Sequence, residues 1–470
     1  MSKTITVIGG GPGGYVAAIR AAQLGAEVVL VEKDRLGGTC LNRGCIPTKT
    51  LYKTAELMHQ IKRGEEFAIL GNGAPTVDGS LLYDRKKKVV DTLVGGIEQL
   101  VKAYPNIKYF AGEASIVNKN QVDITLADGA KESVQTDAII IATGSRPEMT
   151  ETKGIDSEGV ITSDELLELK EIPKTLIVVG GGVIGLEFAS IYQELGSHVI
   201  LLSSRILKNA DKEIGRRLFP LLKKQGIEAY NDIRAKEIKR EGDQLRVVAQ
   251  YKTKEEIVEV VGDYVLIASG RGPVYDGLGL DGLGLEHDAK GIIVNENFET
   301  NIEGIYAIGD VVKNNPQLAH VASAQGEAVA EILMGHKPDI NMKIYPNCVF
   351  TLNEVAHVGA TEEELKEAGI EYNASKFNFA ANGKALSLGE GDGLVKILAT
   401  PEGKLLGAHI LGPHANDLIS ECTLAIANEM SVKDVLRAIH AHPTLSETVA
   451  ESTAGIFGQA IHMAPARRKK

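Results

Sequence analysis

Residues 4–14 read Thr-Ile-Thr-Val-Ile-Gly-Gly-Gly-Pro-Gly-Gly, an apolar run that meets a glycine cluster and passes at once into residues 15–24, which have helical composition. The glycines form Gly-x-Gly-x-x-Gly in a strand–turn–helix context. There Gly9 makes the turn, Gly11 lets a pyrophosphate approach the backbone, and Gly14 allows the helix to pack closely. A second apolar strand, 27–31, ends in Glu32. A carboxylate at that point accepts hydrogen bonds from a ribose hydroxyl pair, so this half is expected to hold an adenine dinucleotide. The unit then repeats. Residues 175–179 form a strand, Gly180, Gly182 and Gly185 a second fingerprint, and 186–195 a second helix. The second nucleotide strand, 198–202, runs into Ser203-Ser204-Arg205 with no acid at the place Glu32 holds in the first unit. An acid rejects a 2′-phosphate, whereas serines and an arginine bind one, so NAD and NADP both stand open there.

Between the two units lies Gly-Gly-Thr-Cys-Leu-Asn-Arg-Gly-Cys-Ile-Pro-Thr-Lys, residues 37–49. In a regular helix, residues five apart sit about 140° apart around the axis and roughly 7.5 Å along it. A disulfide wants Cα atoms ~5.5–6 Å apart. If Cys40 and Cys45 bridge, their segment is therefore not regular helix, and Gly37, Gly38 and Gly44 agree with that. Pro47 suits the first position of a following helix, which puts Cys45 at its N-terminus, where the macrodipole favours a thiolate. A zinc site would want a second cysteine pair or histidines nearby, and none follows. A redox dithiol is the expectation, and no metal.

The rest of the chain supplies supporting pieces. Residues 64–80 read as a surface excursion, 81–103 as helix, and 107–134 as short strands leading to an apolar strand that ends in Thr143, Gly144 and Ser145. Residues 265–271 echo that strand and end in Gly270-Arg271. Residues 300–310 end in Gly309-Asp310, which presents an acid to a ribityl chain, and from about residue 345 a final domain begins. It carries His440-Ala441-His442-Pro443-Thr444-Leu445-Ser446-Glu447. A thiol relay needs a base near neutral pKa, and histidine oriented by a carboxylate provides one; spacing leaves the choice between His440 and His442 open.

Composition bounds the function classes. A 470-residue chain with 44% hydrophobic residues has room for about three domains. The net charge of −11 argues against nonspecific nucleic-acid binding, and the basic run 467–470 reads as a solvated tail. The N-terminus has no signal-peptide pattern and no apolar run reaches membrane-spanning length, so a cytoplasmic protein is expected. Four cysteines in so long a chain make no disulfide scaffold; Cys348 and Cys422 read as small core residues.

Together these residues resemble the pyridine nucleotide-disulfide oxidoreductases, and within them the members that oxidise dihydrolipoamide. The likeness runs from Gly9 to about Phe457. Its most specific parts are residues 37–49, the Gly-Asp strand with Gln317-Leu318-Ala319-His320, and residues 440–447. The resemblance implies an α/β fold of two Rossmann-like dinucleotide-binding domains plus a C-terminal α+β dimerisation domain. Its boundaries would be 1–146 for FAD, 147–270 for NAD(P), 271–343 for a central domain completing the FAD site, and 344–470 for dimerisation. Flavin contacts would fall on Gly9, Gly11, Gly14, Glu32, Lys49, Ala114, Thr143, Gly144, Ser145, Asp310, Leu318, Ala319 and His320. Nicotinamide contacts would fall on Gly180, Gly182, Gly185, Glu187 and Gly270, with Ser203 and Arg205 at the ribose end.

The resemblance also implies roles. Lys49, paired with Glu187, would sit beside the flavin; Cys40 would exchange with the substrate dithiol; and Cys45 would be the charge-transfer thiolate. His442, held by Glu447, would take the substrate proton and come from the partner subunit of a homodimer. The implied reaction is oxidation of protein-bound dihydrolipoamide to lipoamide with reduction of NAD+, NADP+ being the alternative. The partners would be lipoyl-bearing proteins of 2-oxo acid dehydrogenase complexes or of glycine cleavage. No lipoyl domain is expected ahead of the nucleotide motif. Three positions depart from the family pattern: Ser203 in place of an acid, with a shorter loop after it; Arg43 between the cysteines, where its charge would further depress the thiolate pKa; and Gln325 where Glu is frequent. An NADPH-linked disulfide reductase of the same family is the alternative activity. A flavoprotein kept only for binding is opposed by Cys40, Cys45, His442 and Glu447 standing together.

Overall fold

The strand Thr4–Ile8 (β1) is buried from Ile5 onward, and that burial organises the first unit around it. The computed structural model describes residues 2–71, 73 and 75–464; the basic run 467–470 lies outside them. After the glycine turn comes helix α1 (Pro12–Gln23), then β2 (Glu27–Glu32), α2 (Gly38–Arg43), α3 (Cys45–Lys62) and α4 (Gly79–Lys102). β3 (Ile107–Asn118), β4 (Gln121–Leu126), β5 (Lys131–Gln135) and β6 (Ala138–Ile141) complete the unit's own strands. β1, β2, β6 and the first half of β3 pair in parallel. The second half of β3 turns to pair antiparallel with β4. The switch falls at Gly112, where a Cβ would stand 2.6 Å from the Thr125 carbonyl oxygen.

The strand Ile305–Ala307, far along the chain, closes the edge of this sheet against β6. The helix after it, Ala319–Leu333, lies on α1 so closely that a Cβ on Gly326 would be 2.4 Å from the Gly13 carbonyl oxygen. Arg20 and Glu331 pair across the same contact at 2.6 Å. Residues 305–333 are thus built into the first unit.

The second unit repeats the pattern. Its parallel sheet runs in the order Glu228–Asn231, His198–Ser203, Thr175–Val179, Tyr264–Ile267, Val160–Ile161. A three-stranded antiparallel sheet of 233–262 covers it. The C-terminal unit is a five-stranded antiparallel sheet backed by the helices Ala415–Ala427 and Glu447–Gly455.

One core joins all three units. Leu51 and Ala55 of α3, Leu186 and Phe188 of the second unit's helix Val183–Leu195, and Val349 and Leu411 of the C-terminal sheet belong to the same buried cluster. Burying apolar surface at about 25 cal/mol per Å² makes such a shared cluster the main force holding the units in register. Among the described residues no helix is long and apolar enough to cross a membrane.

Candidate active site

The cysteine loop breaks its helix as the spacing requires. α2 ends at Arg43, Gly44 takes φ −141° and ψ −112°, and α3 starts at Cys45. A Cβ on Gly44 would stand 2.9 Å from the Thr39 carbonyl oxygen, so only glycine fits the corner. Pro47 is the third residue of α3, not the first; its fixed φ and missing N–H are accommodated equally well anywhere in a first turn. Cys45 therefore heads α3, and Cys40 lies one broken turn back. Both are free thiols.

The pair is chemically unequal. The Cys40 thiol donates to the Cys45 sulfur, which lowers the Cys45 pKa to about 7, with the Lys49 ammonium helping and burial opposing. The same hydrogen bond and burial push Cys40 well up. Cys45 is thus the thiolate of the couple near neutral pH and Cys40 the thiol. Arg43 does not do what its place between the cysteines predicted. Its guanidinium pairs with Asp34, and the cation with the largest effect on Cys45 is Lys49.

Lys49 Nζ lies 3.0 and 2.8 Å from the two oxygens of Glu187, which is almost fully buried. Glu187 also accepts the Phe350 N–H at 3.0 Å, and the Phe350 ring sits 4.5 Å from Lys49 Nζ. Neither Phe350 nor its partner ring Tyr52 was evident from the sequence, since both act through contacts between remote segments.

The dinucleotide cradle of the first unit is built as its motif requires. Gly9 has φ 107°, and a Cβ on Gly14 would be 1.8 Å from the Gly9 carbonyl oxygen. A Cβ on Gly11 would stand 3.8 Å from the Gly38 Cα, and α1 begins without a side-chain cap, leaving its first N–H groups for an anion. Glu32 accepts the Gly10 N–H at 2.6 Å and the Asp34 N–H at 2.8 Å, which aims its carboxylate along the end of β2. Ala114 lies in β3 just past its switch of partner. At the other end Asp310 accepts Ser145 Oγ at 2.6 Å, and Arg271 donates to Ser145 Oγ and to its carbonyl at 2.9 and 2.7 Å. Thr143 Oγ1 donates to the Val274 carbonyl, and Gly144 has φ 73°. Leu318 precedes the helix that Ala319 starts, and His320 Nε2 meets the Pro346 carbonyl at 2.9 Å. Arg271, adjacent to Gly270, is a site residue that the motif reading passed over. These groups fit a flavin dinucleotide.

The second cradle matches the first in outline. A Cβ on Gly185 would stand 2.1 Å from the Gly180 carbonyl oxygen, and Gly182 begins the helix Val183–Leu195 without a side-chain cap. Ser203 sits where Glu32 sits. It is fully buried, a Cβ on Gly181 would be 1.9 Å from its Oγ, and that Oγ accepts the Arg205 N–H at 3.1 Å. The Gly270 carbonyl accepts the Glu148 N–H at 3.1 Å.

The terminal histidines separate by their partners. His442 Nδ1 is 2.9 Å from Glu447 Oε1, and the other Glu447 oxygen accepts the Thr444 N–H. The His442 side chain is 79% exposed, so its second nitrogen is available to a reactant. His440 is instead half-buried, with one ring nitrogen 2.7 Å from Glu421 and the other 3.2 Å from the Ala438 carbonyl. Among the described residues no hydrogen bond or ion pair joins His442 to Cys40 or Cys45. Cys422 is buried, while Cys348 is only half-buried at the edge of the core, a correction to its expected place. Gln325 uses its amide: Oε1 accepts the Gly309 N–H and Nε2 donates to Asn315 Oδ1, both at 2.8 Å. A carboxylate could not make the second bond.

The family model described as pyridine nucleotide-disulphide oxidoreductase matches residues 3–326, and that of the same family's dimerisation domain matches 345–453. The chain belongs to the pyridine nucleotide-disulphide oxidoreductase family. It is 40% identical over 466 residues to the mitochondrial dihydrolipoyl dehydrogenase of Pisum sativum, covering 98% of this chain and 92% of that one. It is 39% identical to a dihydrolipoyl dehydrogenase of Bacillus subtilis, covering 98% of this chain and 100% of that one. The crystal structure of LpdA from Mycobacterium tuberculosis superposes with a TM-score of 0.87 at 26% identity, over 96% and 99% of the two chains. As a member of this family the chain is an oxidoreductase that works with a flavin and a pyridine nucleotide, and it carries the family's dimerisation domain.

Proposed function

We propose that the chain oxidises protein-bound dihydrolipoamide to lipoamide and passes the electrons to NAD+. The observation that carries this reading is the unequal dithiol, a Cys45 thiolate accepting from the Cys40 thiol at the head of a helix and beside Lys49. Two S–H groups of the substrate become a disulfide, and the Cys40–Cys45 disulfide becomes the thiol and thiolate. Bound FAD would supply two-electron redox chemistry between the dithiol and the nicotinamide nucleotide. Gly9, Gly11, Gly14, Glu32, Ala114, Thr143, Gly144, Ser145, Asp310 and residues 318–320 hold the flavin dinucleotide. Gly180, Gly182, Gly185, Glu187 and Gly270 hold the nicotinamide nucleotide.

Cys40 is the thiol that exchanges with substrate. His442, oriented by Glu447, takes the substrate proton on its free nitrogen. The family's dimerisation domain over residues 345–453 supports a homodimer, in which the partner subunit's His442 completes each site. The lipoyl-bearing proteins of 2-oxo acid dehydrogenase complexes or of glycine cleavage are the partners, and the cytoplasm the compartment.

A second reading concerns the nucleotide alone. The exposed Arg205 and the absence of an acid at the strand end, where Ser203 stands, favour NADP+ as an acceptor. Steady-state oxidation of dihydrolipoamide with NAD+ and NADP+ side by side tests both. Turnover far faster with NAD+ supports the main reading, and preference for NADP+ makes the serine–arginine end a phosphate site. No turnover with either overturns the substrate.

A further inference from the structure

Three units meet at one ion pair. Lys49 comes from the first, Glu187 from the second, and Phe350 from the strand end Asn347–Val349 of the C-terminal unit. Phe350 touches both partners at once: its N–H holds one Glu187 oxygen at 3.0 Å, and its ring lies 4.5 Å from Lys49 Nζ. The ring is itself held edge-on by Tyr52, with centroids 5.8 Å apart and planes at 77°. The Tyr52 hydroxyl donates to Glu354 at 3.3 Å and to the Thr351 carbonyl at 3.4 Å. Tyr52 lies one turn beyond Lys49 on α3, so the aromatic pair grips the stretch of helix that carries the ammonium.

A lysine has four rotatable bonds and a strongly hydrated head, and an ion pair alone does not fix where that head points. An aromatic face attracts the ammonium through its quadrupole and closes off the side that water would occupy. We propose that Phe350 is a positioning residue of the redox centre, holding the Lys49 ammonium beside Cys45 so that the C-terminal unit sets the ionisation of a sulfur it does not contain. The inference rests on the dithiol reading above. Within the chain, the charged and titratable groups acting on Cys45 include the Cys40 thiol from α2, Lys49 from α3, Glu187 from the second unit and Arg271 from the strand Arg271–Pro273; the proposed dimer adds His442 of the partner subunit, which no substitution in the test alters. Of these, Phe350 touches Lys49 and Glu187, whose effects on Cys45 oppose one another. With the ring gone, water reaches the side of Lys49 that the ring covers, and its field at the sulfur is screened.

The test follows the thiolate-to-flavin charge-transfer absorbance of the dithiol-reduced holoenzyme as pH is varied, in the parent, Phe350→Leu and Phe350→Tyr. No substrate or turnover enters it. Phe350→Leu is expected to raise the midpoint by about half a unit to one unit, a roughly three- to tenfold smaller thiolate fraction below the midpoint. Phe350→Tyr keeps a ring face and is expected to match the parent. An unchanged midpoint in Phe350→Leu, or equal shifts in both variants, overturns the proposal. If Phe350→Leu fails to bind flavin, Tyr52→Leu takes its place: a shift in the same direction supports the proposal and no shift overturns it. A parent with no titration near neutrality would instead refute the dithiol reading itself.

Discussion

Lys49 Nζ stands 2.8 Å from Glu187 Oε2, an ion pair between residues 138 positions apart that spans the two nucleotide units, with Lys49 four residues beyond Cys45 on α3. Its two members act on Cys45 with opposite sign: Lys49 favours the thiolate and Glu187 opposes it. Lys49→Met should therefore raise the Cys45 midpoint above about 7 and Glu187→Gln lower it. The pH titration of thiolate absorbance in the reduced protein checks both. Shifts of the same sign would mean that packing, not charge, governs the sulfur.

Glu447 holds His442, the proposed base, within six residues, and is fixed in turn by the Thr444 N–H. Replacing the base should cost turnover about 10²–10⁴-fold, the usual contribution of general acid–base catalysis. His442→Gln is expected to show that loss, and Glu447→Gln a smaller one, with flavin content unchanged. Steady-state rates beside the flavin-to-protein ratio decide the matter. Undiminished turnover in His442→Gln would remove this histidine from the reaction.

Lys396 is fully buried and lies 2.8 Å from Asp211 and from Glu362, with Glu213 at 3.5 Å. Asp211 and Glu213 belong to the second unit and Lys396 to the C-terminal sheet, so the ammonium pins one to the other and fills the space among the three carboxylates. Taking away one member of a buried pair leaves uncompensated charge and costs about 3–5 kcal/mol. Lys396→Met should thus unfold at clearly lower urea concentration. A midpoint equal to the parent's would show that water reaches the cluster and screens it.

Two histidines stack behind that cluster, His357 and His409, with ring centroids 5.9 Å apart. Burial, then the neighbouring His409, pushes His357 down to about 4, and burial also lowers His409. Both rings are neutral when folded, whereas in the unfolded chain they take protons near pH 6.5. The unfolded state therefore binds more protons below that pH, and stability present above about 6.5 is lost as pH falls toward about 4. Each such group steepens the slope by up to about 1.4 kcal/mol per pH unit. Urea midpoints at pH 7, 5.5 and 4.5 should fall less in His357→Phe than in the parent, and parallel declines would exclude this histidine as the cause.

The parts of the site that were legible before the fold was known are those whose geometry is set within a few residues. The glycines at 9, 11 and 14 follow from a strand meeting a helix, the corner between Cys40 and Cys45 from Gly44, and the approach of Glu447 to His442 from a short turn. Arg271, Phe350, Gly326 and Lys396 left no such trace. Each depends on a partner more than 100 positions away, as Arg271 depends on Ser145, Lys396 on Asp211 and Gly326 on the Gly13 carbonyl. Arg43 shows the converse error, because adjacency to two cysteines said nothing of which way its side chain would turn.

Sequence alone pointed to the repeated nucleotide unit, the close cysteine pair and a histidine beside a carboxylate. Those features rest on backbone conformation and on chemistry that a residue carries wherever it lies. Tertiary structure decided which sulfur ionises, which histidine is free to react, and which cation sits beside the thiolate. Burial, hydrogen-bond partners and electrostatic fields fall off within a few ångströms, and only the docking of three units on one apolar core brings Lys49, Glu187 and Phe350 inside that range.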